Sequence, residues 1–121
     1  GIDDRITILS NAKINNLHRD DFTLEFWLKP DAFTSSPKQV LFSNRITSDP
    51  IRGFEAAIAA GGTRLEFNYK GFSLTSNTFS SITSSSVCRN IAIIRSGQNL
   101  TFWLDGTNVG TRILPEELFI G

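Results

Sequence analysis

The sequence predicts an all-β fold, an antiparallel sandwich of short strands. Three observations carry this: apolar residues recur with a period of two, Gly-containing pairs punctuate the apolar runs, and no long stretch keeps a helical period. The clearest run is residues 22–28, where Phe22, Leu24, Phe26 and Leu28 alternate with Thr23, Glu25 and Trp27. Successive side chains of an extended chain point to opposite faces, so this strand sets one face on a core and leaves the other mixed.

The remaining strands follow by the same reasoning. Residues 65–69 alternate Leu65, Phe67 and Tyr69 with Glu66 and Asn68, and residues 100–104 alternate Leu100, Phe102 and Leu104 with Thr101 and Trp103. Weaker candidates are 5–9, 39–43, 54–60, 72–76, 90–95, 109–114 and 118–120. The run Ile91-Ala92-Ile93-Ile94 is apolar without interruption, as expected of a central strand covered on both faces. Gly61-Gly62, Lys70-Gly71, Ser96-Gly97 and Asp105-Gly106 supply the positive φ that tight hairpins require. Residues 56–60 and 115–118 are given a helical turn at most. Residues 34–38 and 75–86, rich in Ser and Thr, have no period and are expected to be surface loops, where recognition concentrates.

Composition narrows the function classes. The 121 residues carry twelve Lys+Arg against twelve Asp+Glu, so neither nucleic acid nor an anionic lipid surface finds a basic patch. A 40% hydrophobic fraction with ten Phe supplies a core for one domain. No apolar run approaches the roughly 18 residues of a membrane span, so no membrane insertion is expected. With Gly1 first and no Met, the chain is expected to be a processed product or a piece of a longer protein. Cys88 is the one cysteine, so no internal disulfide forms.

The order of motifs resembles the laminin G-like jelly rolls of the concanavalin A-like lectin/glucanase superfamily. The resemblance is carried by Phe22-Thr23-Leu24-Glu25-Phe26-Trp27-Leu28-Lys29-Pro30, Val40-Leu41-Phe42-Ser43, Ile91-Ala92-Ile93-Ile94-Arg95, Leu100-Thr101-Phe102-Trp103-Leu104-Asp105-Gly106 and Leu118-Phe119-Ile120-Gly121. It implies a jelly-roll sandwich and covers nearly the whole chain. Cys88 stands where such domains usually carry a Trp, and the family's last strand is missing after Gly121. The sheet is therefore expected to be completed by a missing segment or by another chain.

Catalytic chemistry finds little support. Glucanases of this superfamily carry paired carboxylates alternating on one strand, a spacing absent here. Glu25, Glu55 and Glu66 each stand alone in their strands, and the simplest account is a solvent-facing carboxylate paired with a neighbour such as Arg64 or Lys29. His18 is read as a surface turn residue and Cys88 as a small buried hydrophobe. No zinc spacing occurs. Calcium is the one cofactor kept open, with Asp31, Asp49 and Asp105 as oxygen donors that lack a calcium-loop spacing; Asp105-Gly106 is accounted for by a hairpin alone.

Trp27 and Trp103 lie on the mixed faces of their strands, and sugars are held by aromatic stacking beside planar polar groups. The candidate ligand-binding set is Trp27, Trp103, Glu25, Arg64 and Glu66. The same tryptophans packing under a loop or a small third sheet is the stronger reading at this level. Asn99-Leu100-Thr101 matches a glycosylation acceptor, relevant only in a secreted eukaryotic protein. The expected function is non-catalytic recognition of a glycan or cell-surface receptor, extracellular or on a virion. The alternative is a structural part of a larger particle, such as a phage tail fibre or capsid appendage.

Overall fold

A computed structural model describes residues 21–28, 38–43, 53–69, 72–80, 82 and 88–115. Among these residues the strands are β1 (Phe22–Leu28), β2 (Gln39–Ser43), β3 (Phe54–Ile58), β4 (Leu65–Tyr69), β5 (Phe72–Thr75), β6 (Arg89–Ser96), β7 (Asn99–Leu104) and β8 (Thr107–Ile113). They form two antiparallel four-stranded sheets, the first in the order β1-β6-β7-β8 and the second β2-β3-β4-β5. Strands β1 and β6 are neighbours although distant in sequence, the crossover expected of a jelly-roll sandwich. The sequence candidates 5–9 and 118–120, the Lys70-Gly71 turn and His18 lie outside the described residues.

Strand parity builds the core. In β1 the register sets Phe22, Leu24 and Phe26 opposite Arg95, Ile93 and Ile91, and β7 continues the inner rows with Leu100, Phe102 and Leu104. The second sheet answers with Phe54, Ala56, Ile58, Leu65, Phe67 and Tyr69. Phe22 of the first sheet meets Phe67 of the second at 5.7 Å between ring centroids, and Phe67 in turn packs on Phe54 at 5.6 Å. These rings close the space between the sheets, where aromatic side chains bury the most area per residue. As expected, β6 is an internal strand, with Ile91, Ala92 and Ile93 buried.

The turns form as their chemistry requires. Asp105 and Gly106 have φ of 51° and 78°, the two-residue hairpin joining β7 to β8. Gly97 turns β6 into β7, and Gly61-Gly62 lies between β3 and β4. A bulge falls between Phe102 and Trp103 in the β7–β8 ladder. There Gly110 has φ of 144°, and a Cβ on it would stand 3.0 Å from the Asn77 backbone nitrogen. That nitrogen donates to the Val109 carbonyl at 2.8 Å, so the chain leaving β5 crosses close over β8 and ties the two sheets together. Arg112 adds a second tie, donating from Nη2 to Asn77 Oδ1 at 2.8 Å.

Three expectations are corrected here. Residues 56–58 form part of a buried strand, not a helical turn, because both their neighbours β2 and β4 pair with them. Within 75–86 the described residues do not form a purely exposed loop. Ser76 and Ile82 are buried, with Ile82 N–H donating to Gly62 O at 2.9 Å and Leu65 N–H donating to Ser76 Oγ at 2.9 Å. Phe79 and Ile82 are apolar anchors in a polar segment, and two anchors alone leave no period to read. Cys88 is exposed rather than buried, since it precedes β6 outside the ladder.

Candidate functional site

The outer face of the first sheet is a direct product of strand parity. With the even-numbered residues of β1 in the core, Thr23, Glu25 and Trp27 project outward, opposite Ile94, Ala92 and Asn90 of β6. Strand β7 continues the rows with Trp103 opposite Ala92 and Thr101 opposite Ile94. Strand β8 adds Asn108 opposite Trp103 and Thr111 opposite Thr101. The two threonine hydroxyls meet at 3.2 Å, which confirms that they share the face.

Trp27 is 70% exposed. Trp103 is half-buried. Strand β6 runs between them and they sit one pair out of line, which by strand geometry sets their Cα atoms roughly 12 Å apart. Packing of both tryptophans beneath other chain therefore fails for Trp27, while Trp103 is partly covered. Glu25, also exposed, is a carboxylate acceptor on the same face one pair along from Trp27.

Asn90 is positioned by the β7–β8 hairpin. Its N–H donates to Asp105 Oδ1 at 2.9 Å and its carbonyl accepts from the Asp105 N–H at 2.8 Å, while Arg89 Nε donates to Asp105 Oδ2 at 2.6 Å. Both carboxylate oxygens of Asp105 thus have protein partners. Of the other calcium candidates, Asp31 and Asp49 lie outside the described residues. Among the described residues no three His, Cys, Asp or Glu side chains are grouped to hold a metal ion.

The structure divides the predicted set. Trp27, Trp103 and Glu25 share one face, whereas Glu66 belongs to the second sheet and projects from that sheet's outer side, away from them. Arg64 is exposed at the end of the β3–β4 turn, its carbonyl accepting from the Ala59 N–H at 2.9 Å. The five residues read as one surface from sequence are therefore not one surface.

Glu55 also departs from expectation. It projects from the outer side of β3 yet is only 8% exposed, and among the described residues it is held by Lys38 at 2.5 Å and by Asn68, itself 7% exposed. Asn68 Nδ2 donates to Glu55 Oε1 at 3.1 Å and to Glu66 Oε2 at 3.2 Å, so the two carboxylates do approach across strands. Each of the two N–H groups of that amide has a carboxylate, and Lys38 balances one of the charges. The arrangement binds its own members together, and Lys38, Asn68 and the buried Glu55 gave no signal beyond ordinary alternation in the sequence.

No curated protein matches the chain by sequence. Among solved structures, the carbohydrate-binding module CBM66 from Bacillus subtilis superposes with a TM-score of 0.51 at 17% identity, covering 77% of this chain and 58% of that one. The chain thus spans a little over half the length of that structure, and the likeness is one of fold. The laminin G-type family model described as the concanavalin A-like lectin/glucanases superfamily matches residues 1–120. With sandwich topology, strand order and family model in agreement, the chain belongs to the concanavalin A-like lectin/glucanases superfamily.

Proposed function

We propose that this domain is a non-catalytic carbohydrate-recognition module that receives sugars on the outer face of the first sheet, with Trp27 as the stacking residue. The observation that carries the reading is the 70% exposure of Trp27 beside Glu25 on a face built from regular strands. A Trp left in water gains nothing for folding, whereas its ring is the surface on which the apolar face of a sugar desolvates. Rigid strands hold that ring in place, which limits the ordering cost of binding. The similarity to a carbohydrate-binding module supports the reading. Recognition without catalysis fits the carboxylates: Glu55 and Glu66 are engaged with Asn68, and Glu25 has no second carboxylate on its face among the described residues.

The test is titration with a panel of neutral and acidic polysaccharides, followed by Trp fluorescence and calorimetry, on the wild type and Trp27→Ala. The expected result is binding to at least one saccharide with a change in Trp emission, abolished in Trp27→Ala while the melting temperature stays within about 2 °C, because an exposed ring contributes little to stability. A wild type that binds no saccharide in the panel, or a Trp27→Ala variant that binds equally well, overturns the proposal.

A further inference from the structure

Asn90 is the direct cross-strand neighbour of Trp27 on the outer face. Its backbone is fully engaged by Asp105, but its side-chain Nδ2 is buried and has no acceptor among the described residues. A buried amide N–H without an acceptor loses its hydration for no return, and nearly all such groups in folded proteins find a partner. Strand pairing does not require an amide at this position, since the ladder uses only the backbone. An apolar side chain beside Trp27 would avoid the penalty.

Charge supplies a second, independent observation. Within the strands of this outer face Glu25 is the one ionised side chain among the described residues, and Asp21, just before β1, accepts from the Gly97 N–H at 2.8 Å. The arginines of the same sheet are spent elsewhere: Arg89 and Arg95 fall on the inner rows of β6 and Arg112 on the inner row of β8. Arg89 is held by Asp105, Arg95 Nε donates to Gly97 O at 3.1 Å, and Arg112 reaches Asn77. Among the described residues of this face, a uronate or sulfated glycan would meet a carboxylate and no counter-charge.

We propose that Asn90 is the specificity-determining residue of the Trp27 surface and that the ligand is a neutral saccharide. Its ring packs against the Trp27 indole, one of its oxygens accepts from Asn90 Nδ2, and a hydroxyl donates to the Glu25 carboxylate. This rests on the reading of Trp27 as a sugar platform. Because Nδ2 is covered in the free protein, the side chains around it shift as the sugar seats. The penalty of the orphaned donor is relieved only in the complex, which turns a local instability into selectivity.

The experiment compares wild type, Asn90→Leu, Asn90→Asp and Trp27→Ala against neutral glucan, galactan, mannan and fructan oligosaccharides, with polygalacturonate and heparin as the acidic arm. The expected result is wild-type binding to a neutral oligosaccharide and binding to the acidic polymers at least about tenfold weaker. Asn90→Leu should bind the neutral ligand about tenfold more weakly while melting at the same temperature or a few degrees higher, since the unmet donor is gone. Asn90→Asp, which swaps the donor for an acceptor, should lose a similar factor. Trp27-dependent binding that is indifferent to Asn90, tightest binding to an acidic polymer, or a large fall in the melting temperature of Asn90→Leu each overturns this inference alone. Failure of the wild type to bind any saccharide, or indifference to Trp27→Ala, overturns the reading beneath it.

Discussion

Asn68 donates to Glu55 across the β3–β4 ladder at 3.1 Å, on the side of the second sheet that faces away from the core. Because the same nitrogen also serves Glu66, one neutral amide separates two carboxylates that would otherwise repel. Asn68→Ala should therefore destabilise the domain by about 1–3 kcal/mol, as it takes one donor from the buried Glu55 and one from Glu66, with Lys38 still balancing one of the two charges. Chemical denaturation monitored by circular dichroism checks this. Asn68→Gln, which keeps the amide on a longer stem, should recover only part of the loss.

Gly110 is the point at which the two sheets are drawn together, through the close passage of Asn77. Gly110→Ala combines an unfavourable φ with a Cβ pressed on backbone, and should cost about 1–3 kcal/mol. Gly97→Ala is the matched control, having positive φ but open space around the added carbon, and should cost about 1–2 kcal/mol from backbone strain alone. Thermal melts of the two variants separate crowding from strain, and Gly110→Ala should fall further.

Asp105 works as both a turn residue and an acceptor. Asp105→Asn preserves the tolerance of Asn-Gly for a two-residue hairpin and loses only a partly exposed ion pair with Arg89, at a cost below about 1 kcal/mol. Asp105→Ala forces an alanine to positive φ and removes both hydrogen bonds, and should cost about 2 kcal/mol. The order Asp105→Asn before Asp105→Ala in melting temperature is the measurable outcome.

Phe67 joins the sheets by packing between Phe22 and Phe54. Truncation to alanine removes both ring contacts and opens a cavity, at about 3–5 kcal/mol. That is a large share of the total stability of a domain of this size, so Phe67→Ala should be substantially unfolded near physiological temperature, and Phe67→Leu should stay folded with a lowered midpoint.

Much of this architecture was legible in the sequence because period two is a strong signal wherever one face is apolar. Strand β1 begins at Phe22 and ends at Leu28 as its alternation dictates, and Asp105-Gly106 announces its hairpin by residue type alone. The outward position of Trp27 beside Glu25 was legible for the same reason: odd positions of β1 must oppose even ones. What sequence could not supply was which strands become neighbours. Glu66 and Arg64 were grouped with Trp27 because all lie on strand-like segments, but β4 joins the other sheet. The pairing of Glu55 with Asn68 depends on the β3–β4 register, and the lone donor of Asn90 on what surrounds it. Neither leaves a trace in residue order. Ile82 and Cys88 were misplaced because one or two isolated apolar residues in a polar stretch have no period by which to be assigned.

The alternation of β1 has an evolutionary consequence. Positions 23, 25 and 27 contribute to one face and positions 22, 24, 26 and 28 to the other, with the backbone ladder to β6 indifferent to both. Replacing Glu25 or Trp27, together with their partners Ala92 and Asn90, changes the chemistry that the outer face presents while leaving every aromatic contact of the interior intact. A lineage built on this sheet can therefore diverge in surface chemistry by drift at a few alternate positions, each step taken from a stable fold.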